Sequence, residues 1–423
     1  MMSASYAAPP GVKRFQQRAL IVGAVFTVLL ALGFLLDRRQ FFHSYLFAFS
    51  FWAGISIGSL ALLMLQHLTG GGWGLVIRRV LEAATRTLPL VLILFAPIVL
   101  GAHWIYRWTD ADEVASHPVL VEKAKYLNLP FFTIRAIIYF SIWMALAFFL
   151  NRWSKLQDQT AERQYAKRMT TLSGPGMVLL IFAVTFAAID WFMSLEPEWY
   201  STIYGFIFLA SWTLSALAFV IAVMARLAGH EPMNRIVAHL HFHDLGKLLL
   251  AMVMLWSYFA FSQFLIVWSG NLPEEIHWYL PRIQGTWGVM ALLVIVLHFA
   301  FPFLFLLSRS LKRNAGKLVI VAVLILVMRL FDLFWTIVPS FTGEHFHISW
   351  MDIVAPIGMG GLWLAAFARA LGQRPLIPIN DPQYESVLEQ KHAHAEHRVV
   401  SVATERLGKT GMKSRGQQFR VHL

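Results

Sequence analysis

The chain has 423 residues, of which 58% are hydrophobic and only 14% are charged. A soluble domain carries about 25% charged residues, so this composition excludes an ordinary soluble protein and indicates an integral membrane protein. The chain has no cysteine, which excludes disulfides, cysteine-ligated iron–sulfur clusters, thiolate zinc sites and covalent c-type haem. A redox centre that it serves would be a bound quinone, a histidine-ligated haem or a centre on another subunit.

Ten apolar runs, each long enough to cross a bilayer, follow one another along the chain. The first run comes after three basic residues, as in a signal peptide, but no small-residue cleavage site follows, so we expect a retained anchor. The predicted fold is all-α, with ten transmembrane helices, here called spans 1 to 10, at roughly 19–36, 42–68, 88–106, 131–150, 176–195, 199–225, 245–269, 285–308, 317–339 and 350–371.

The distribution of basic residues predicts the orientation of these spans. The N-terminus, the tail and the connections after spans 2, 4, 6 and 8 carry 25 of the 35 Lys and Arg residues, against 6 in the remaining connections. Basic loops stay in the cytoplasm, so we expect a bacterial inner-membrane protein with both termini cytoplasmic. The net charge of +12 then faces anionic lipid and does not indicate a nucleic-acid partner.

A possible internal repeat organises the middle eight spans. Span 5 contains DWFMSLEP at 190–197 and span 9 contains DLFWTIVP at 332–339, and spans 2 and 6 end in similar LTG and LAG sequences. Units of four spans run parallel to one another. The repeat predicts parallel four-helix bundles at 42–197 and 198–340, preceded by the N-terminus and span 1 at 1–41 and followed by span 10 at 341–372 and a cytoplasmic tail at 373–423. Chance similarity among apolar helices is the alternative.

Two segments resemble a known family. The run HLHFHDLGKLLLAMVMLWSYFAFSQFLIVWSGNLPEEIHWYLPRIQG at 239–285 closely resembles the second polytopic membrane subunit of bacterial alternative complex III. The run IDWFMSLEPEWYSTIYG at 189–205 resembles the same family. This family is related to the quinol-binding membrane subunits of the polysulfide-reductase type, and the resemblance covers spans 2 to 10.

The resemblance implies a function and a set of partners. It implies a non-redox-centre subunit of a complex that oxidises quinol and passes electrons to cytochrome c or another acceptor. The implied partners are a homologous, longer polytopic subunit, iron–sulfur and c-type haem subunits that hold the redox centres, and a terminal oxidase. The chain itself would support assembly and proton translocation and would hold no covalent cofactor. The alternatives are a quinone/quinol site on this chain, a secondary transporter and a pure scaffold.

Ionisable residues inside the spans are the candidates for a proton path, because charges in the bilayer are costly and usually functional. On the predicted outer side these are Asp190, Glu196, Arg329 and Asp332. Arg329 and Asp332 are three residues apart and are expected to pair. Ala187 stands in the corresponding place before Asp190. We therefore expect Asp190 to lack a cation and to exchange protons, and Asp332 to be electrostatic or structural.

The inner end of span 7 adds the candidates Asp244 and Lys247, as a helix N-cap with an interfacial lysine or as the gate of a proton or ligand entrance. The alternating His239, His241 and His243 suit an extended segment better than a metal site, so no metal ligand is assigned. His298 lies in the middle of span 8 as a packed core residue or a proton relay. It has no histidine partner at its depth for haem.

Overall fold

The computed structural model describes residues 6–378 and 380–389, and this part of the chain is helical and contains no β-strand. It has ten helices that are long and apolar enough to cross a membrane, which confirms the predicted all-α, multi-pass architecture. The ten spans are Pro10–Leu36, Arg38–Thr69, Gly72–Leu100, Leu129–Thr160, Arg163–Leu195, Tyr204–Leu227, His239–Gly270, Gly285–Leu307, Ala315–Thr342 and Met351–Gly372.

Several spans are interrupted, and shorter helices connect them. Span 3 consists of the helices Gly72–Thr85 and Leu88–Leu100, and span 8 contains the π-helical segment Val294–Ala300. Span 5 ends in the 3-10 turn Met193–Leu195, and span 9 ends in the helix Pro339–Thr342. The connecting helices are Ala102–Ile105, Arg107–Thr109, Ala111–Ser116, Pro118–Lys123, Met233–Ile236, Pro273–Ile276, Leu280–Ile283 and Arg309–Arg313.

The start of span 3 differs most from its predicted position, because the helix begins at Gly72 and not near residue 88. Arg78, Arg79 and Glu82 interrupt the apolar pattern, so hydropathy alone places them in a loop. In the structure these side chains are buried and paired with one another. Span 7 also begins early, at His239, so the expectation of an extended histidine segment is wrong.

Contacts between the connections define two faces of the molecule. On one face, which we call the basic face, Arg79 near the start of span 3 contacts Asp158 at the end of span 4. Arg78 contacts Asp381, which follows span 10, on the same face. On the opposite face the connections after spans 5, 7 and 9 meet. The segments predicted to be cytoplasmic thus share one face, and the membrane side of that face stays a prediction.

Span 2 occupies the centre of the molecule and is buried along almost its whole length. It packs against span 6, and Gly58 makes this contact possible, because a Cβ there would lie 2.1 Å from the Trp212 carbonyl oxygen. Each of spans 2 to 5 packs on the next, and span 5 returns to span 2. Spans 6 to 9 are arranged in the same order, while spans 1 and 10 pack together beside span 2. The duplication itself stays a prediction.

Candidate functional site

Asp190 lies at the centre of a buried polar group between spans 4 and 5. Arg135 donates from Nε to Asp190 Oδ2 at 2.8 Å and from Nη2 to Oδ1 at 2.9 Å. Tyr139 donates its hydroxyl to Oδ2 at 2.7 Å. The Arg135 guanidinium also lies 3.8 Å from the ring centre of Tyr126, whose pKa burial raises to about 12, with the Asp190 charge adding to the effect. Asp190 therefore has both oxygens occupied by donors.

The expectation that Asp190 lacks a cation is wrong. Its own helix does carry Ala187 in the place of an arginine, but the neighbouring span supplies Arg135, 55 residues earlier in the chain. A bidentate arginine–carboxylate pair is among the strongest polar contacts in proteins. Asp190 is therefore a paired carboxylate with three donors on its two oxygens. The signal in the sequence was Arg135 itself, since an arginine inside a span needs an anion near it.

Arg329 and Asp332 form the predicted pair within span 9. Both side chains are buried. The Nε of Arg329 has no hydrogen-bond partner among the described residues, and its guanidinium lies 6.0 Å from the ring centre of Phe208. Asp190 and Asp332 are thus both held by arginine, one between helices and one within a helix. The predicted contrast between a free and a paired aspartate does not exist.

Glu196 contacts residues from other spans and connections on the opposite face. Its Oε1 accepts from Arg282 Nη2 at 2.7 Å and from the Ser340 hydroxyl at 2.6 Å, so residues after spans 5, 7 and 9 meet at one carboxylate. Arg282 is fully buried and lies 3.8 Å from the ring centre of Trp278. Arg282 is therefore part of the internal packing of this face.

His298 lies in the π-helical segment of span 8 and is completely buried. Its ring meets Trp256 of span 7 edge-on, with 4.4 Å between the ring centres. Neither ring nitrogen has a hydrogen-bond partner in the part of the chain that the structure describes. Of the seven predicted proton-path residues, all of them described, His298 is the one without a polar partner. π-Helical turns within α-helices often occur at functional sites.

Asp244 and Lys247 lie at the start of span 7, on the basic face. Lys247 donates to Asp244 at 3.1 Å, and its side chain is 58% exposed. Asp244 is not the helix cap, because the helix already begins at His239. The backbone N–H of Ala238, the residue before the helix, donates to His241 Nδ1 at 3.0 Å. The N-cap prediction for Asp244 is wrong, and the interfacial position of Lys247 stays a prediction.

The sequence pattern did not reveal a charged network around Glu82. Glu82 accepts from Arg78 at 3.0 Å, from Arg79 at 2.7 Å and from Arg374 at 3.2 Å. Asp158 and Asp381 complete the network, each 2.5 Å from an arginine. The partners come from spans 3 and 4 and from the segment after span 10, so hydropathy read along the chain could not bring them together. Three arginines and three carboxylates balance one another here.

Asp352, at the start of span 10, is a second buried carboxylate that the sequence pattern did not reveal. It accepts from the Ser44 hydroxyl at 2.6 Å, from Gln40 Nε2 at 3.2 Å and from the Ser349 backbone N–H at 2.8 Å. The contact with Ser44 and Gln40 fastens span 10 to span 2. The bond to Ser349 satisfies a backbone donor at the helix start, which is a capping role.

An apolar crevice of about 430 Å³ lies between spans 3 and 4. Phe95, Ala96 and Val99 line it from span 3, and Ala136 and Phe140 line it from span 4, with no ionisable side chain among the lining residues. The same turns of span 4 carry Arg135 and Tyr139. Phe95 and Phe140 also contact Trp191, which adjoins Asp190. The crevice could seat a hydrocarbon chain beside the Asp190 group.

The described residues contain no candidate metal site. Within residues 6–378 and 380–389, no group of three or more His, Cys, Asp and Glu side chains is placed to hold a metal ion. The histidine-rich tail at 392–397 lies outside the described residues.

The chain matches no protein-family model, and no curated protein sequence matches it.

Proposed function

We propose that this chain is an integral membrane component of a respiratory quinol:cytochrome c, or quinol:electron acceptor, oxidoreductase complex of the alternative complex III type. The resemblance at 189–205 and 239–285 supports the family, and the ten apolar helices support a multi-pass place in the membrane. The cysteine-free chain agrees with redox centres that lie on iron–sulfur and c-type haem partners. We place the protein in the bacterial inner membrane, with the basic face toward the cytoplasm.

Within this complex we assign the chain a role in assembly and in proton movement. The observation that carries the proton role is His298, a buried imidazole without a polar partner in the part of the chain described. Imidazole gains and loses a proton near neutral pH more readily than any other side chain. The arginine-bound Asp190 and Asp332 then serve as fixed electrostatic or structural groups.

Purification in mild detergent from native membranes tests the complex. The chain should co-purify with a homologous polytopic subunit and with iron–sulfur and c-type haem subunits. A reduced-minus-oxidised spectrum of the preparation should show c-type haem. Isolation of the chain alone, free of haem and at its native yield, would contradict the proposal.

A quinol site on this chain is the second candidate, and the apolar crevice between spans 3 and 4 favours it. An isoprenoid tail needs an apolar groove open to lipid, and the crevice offers one beside the Asp190 group. Ala96 is an exposed, small residue of the lining, so Ala96→Trp would fill the crevice with little effect on packing. A large loss of quinol affinity in an intact Ala96→Trp complex would favour this candidate, and unchanged affinity would reject it.

A further inference from the structure

Three cationic side chains and a histidine lie around the beginning of span 7 on the basic face. We call His243, Lys247, Lys312 and Arg313 the basic mouth. Lys312 and Arg313 belong to the short helix Arg309–Arg313 between spans 8 and 9, which packs against span 7. His239 of span 7 also contacts the backbone carbonyl of Arg313 at 3.0 Å. Lys247, Lys312 and Arg313 all act electrostatically on His243, so the four groups lie close together.

Lys312 is the unusual member of the basic mouth. It is only 8% exposed, yet its ammonium has no hydrogen bond or ion pair with any described residue. Its side chain lies across span 7 at Gly246, where a Cβ would stand 2.7 Å from Lys312 Cγ. Burial lowers the pKa of Lys312, and the nearby charge of Lys247 lowers it further. The fold therefore buries the stem of Lys312 and leaves its cationic end beside other cations.

Within residues 6–378 and 380–389, the carboxylates do not balance the charges of the basic mouth. Asp244 is the carboxylate found there, and it contacts Lys247 at 3.1 Å and His243 at 3.8 Å. The Glu82 network on the same face differs, because each of its three arginines has a carboxylate within hydrogen-bonding distance. Like charges held close together repel one another, and a nearby anion relieves the repulsion. An anion from outside the described chain would complete the basic mouth in the way that Glu82 completes its network.

We propose that the basic mouth binds the phosphate of an anionic phospholipid headgroup. Lys312 contacts the phosphate from its buried position, and Lys247 and Arg313 contact it from the exposed rim. Basic pockets between transmembrane helices on the cytoplasmic side of membranes bind such headgroups. The site is independent of the respiratory function proposed above, since it rests on charge and position alone.

The position of the mouth favours a lipid over a soluble phosphate. The last turns of span 8, directly before the helix Arg309–Arg313, expose Leu304 and Leu307 at 62% and 55%. These side chains offer an apolar surface to acyl chains at the same end of the span. The Lys247 side chain is 58% exposed, and a lysine at the end of a span can extend its ammonium into the headgroup layer. One molecule with both an acyl chain and a phosphate fits this surface.

Lipid binding to Lys312→Met tests the proposal. Methionine keeps an unbranched side chain against Gly246 and removes the charge, and Lys167→Met is the matched control, because Lys167 is an exposed lysine elsewhere on the basic face. The full chain, with the subunits that co-purify, is reconstituted in nanodiscs of phosphatidylcholine with or without phosphatidylglycerol. Retained phosphatidylglycerol is then measured by native mass spectrometry, together with the thermal midpoint of unfolding.

Removal of one lysine that contacts an anionic headgroup weakens its binding by about fivefold. We therefore expect Lys312→Met to retain phosphatidylglycerol about fivefold less well than the wild type and to lose its stabilisation by this lipid. Lys167→Met should behave as the wild type. Lys247→Gln, at an exposed position that tolerates change, should also weaken retention. Equal retention in Lys312→Met and the wild type would overturn the site, and equal stabilisation by inorganic phosphate alone would overturn its assignment to lipid.

Discussion

Glu82, Asp190 and Asp332 lie buried within the spans, and each contacts at least one arginine. Arginine does not lose its proton in proteins, so each carboxylate faces a permanent positive charge. Breaking a buried pair by removing one partner costs about 3–5 kcal/mol, because the other charge stays behind without compensation. These contacts explain how the fold tolerates buried charges. We therefore expect Asp190 and Asp332 to have structural roles.

Asp190→Asn should therefore destabilise the protein and not simply remove a titratable group. The substitution leaves Arg135 buried without its anion, so we expect a loss of about 3–5 kcal/mol in the free energy of unfolding. Asp332→Asn should cost a similar amount, through Arg329. Unfolding of the purified chain in detergent and the yield of assembled complex are the measurements.

The double variant Asp190→Asn, Arg135→Gln provides the control for this prediction. Removal of both charges leaves no unpaired ion, so it should recover part of the stability lost in the single variant. A single Asp190→Asn variant that unfolds as the wild type does, while releasing fewer protons per electron, would restore Asp190 as the proton-exchanging group.

In contrast to Asp190, His298 has no polar partner among the described residues, so its substitution should leave the fold intact. His298→Phe keeps a ring against Trp256 and removes the exchangeable proton, so assembly should stay near normal. Under the proposed function, the reconstituted complex should release fewer protons per electron. The matched control is Trp256→Phe, which alters the same ring contact and leaves the imidazole. Unchanged proton release in an intact His298→Phe complex would make His298 a packing residue.

At the scale of helices, the sequence predicts the ten spans well, but it does not predict which residues of different spans contact one another. Apolar runs predicted all ten spans, because the bilayer demands about 20 apolar residues wherever a helix crosses it. Asp190 and Arg135 are 55 residues apart, and Glu82 and Arg374 are 292 apart. The repeat of three or four residues along a helix cannot relate residues that are so far apart in the sequence. The pair of Arg329 and Asp332, three apart on one helix, was predicted from the sequence because its spacing is local.

The contact between spans 2 and 6 gives a prediction at the same scale. Gly58→Ala would place a methyl group against the Trp212 backbone, and Gly54 meets the same tryptophan one turn away. Overpacking of a buried contact costs about 1–3 kcal/mol, so we expect a lower thermal midpoint and a lower yield. Gly174→Ala is the control, since nothing lies within 4 Å of a Cβ there and alanine favours a helix. Equal effects of the two substitutions would contradict the close approach.

The whole molecule has two unlike faces, and their orientation in the membrane can be measured. The basic face carries the start of span 1, the connections after even-numbered spans and the segment after span 10. A reporter fused after Leu423 should therefore read as cytoplasmic, and one inserted after Asn271 should read as periplasmic. A periplasmic signal from the Leu423 fusion would contradict the predicted orientation.

The contact between the segment after span 10 and span 3 has a consequence for biogenesis. Arg374 and Asp381 are synthesised after all ten spans, yet they complete the charge balance around Glu82 and Arg78 near the start of span 3. While the ribosome is still translating spans 4 to 10, the first half of span 3 holds charges whose final partners do not exist. We expect this half-helix to stay at the membrane surface, or under the protection of an insertase, until translation ends. We therefore expect stable insertion of span 3 to depend on synthesis of the segment after span 10.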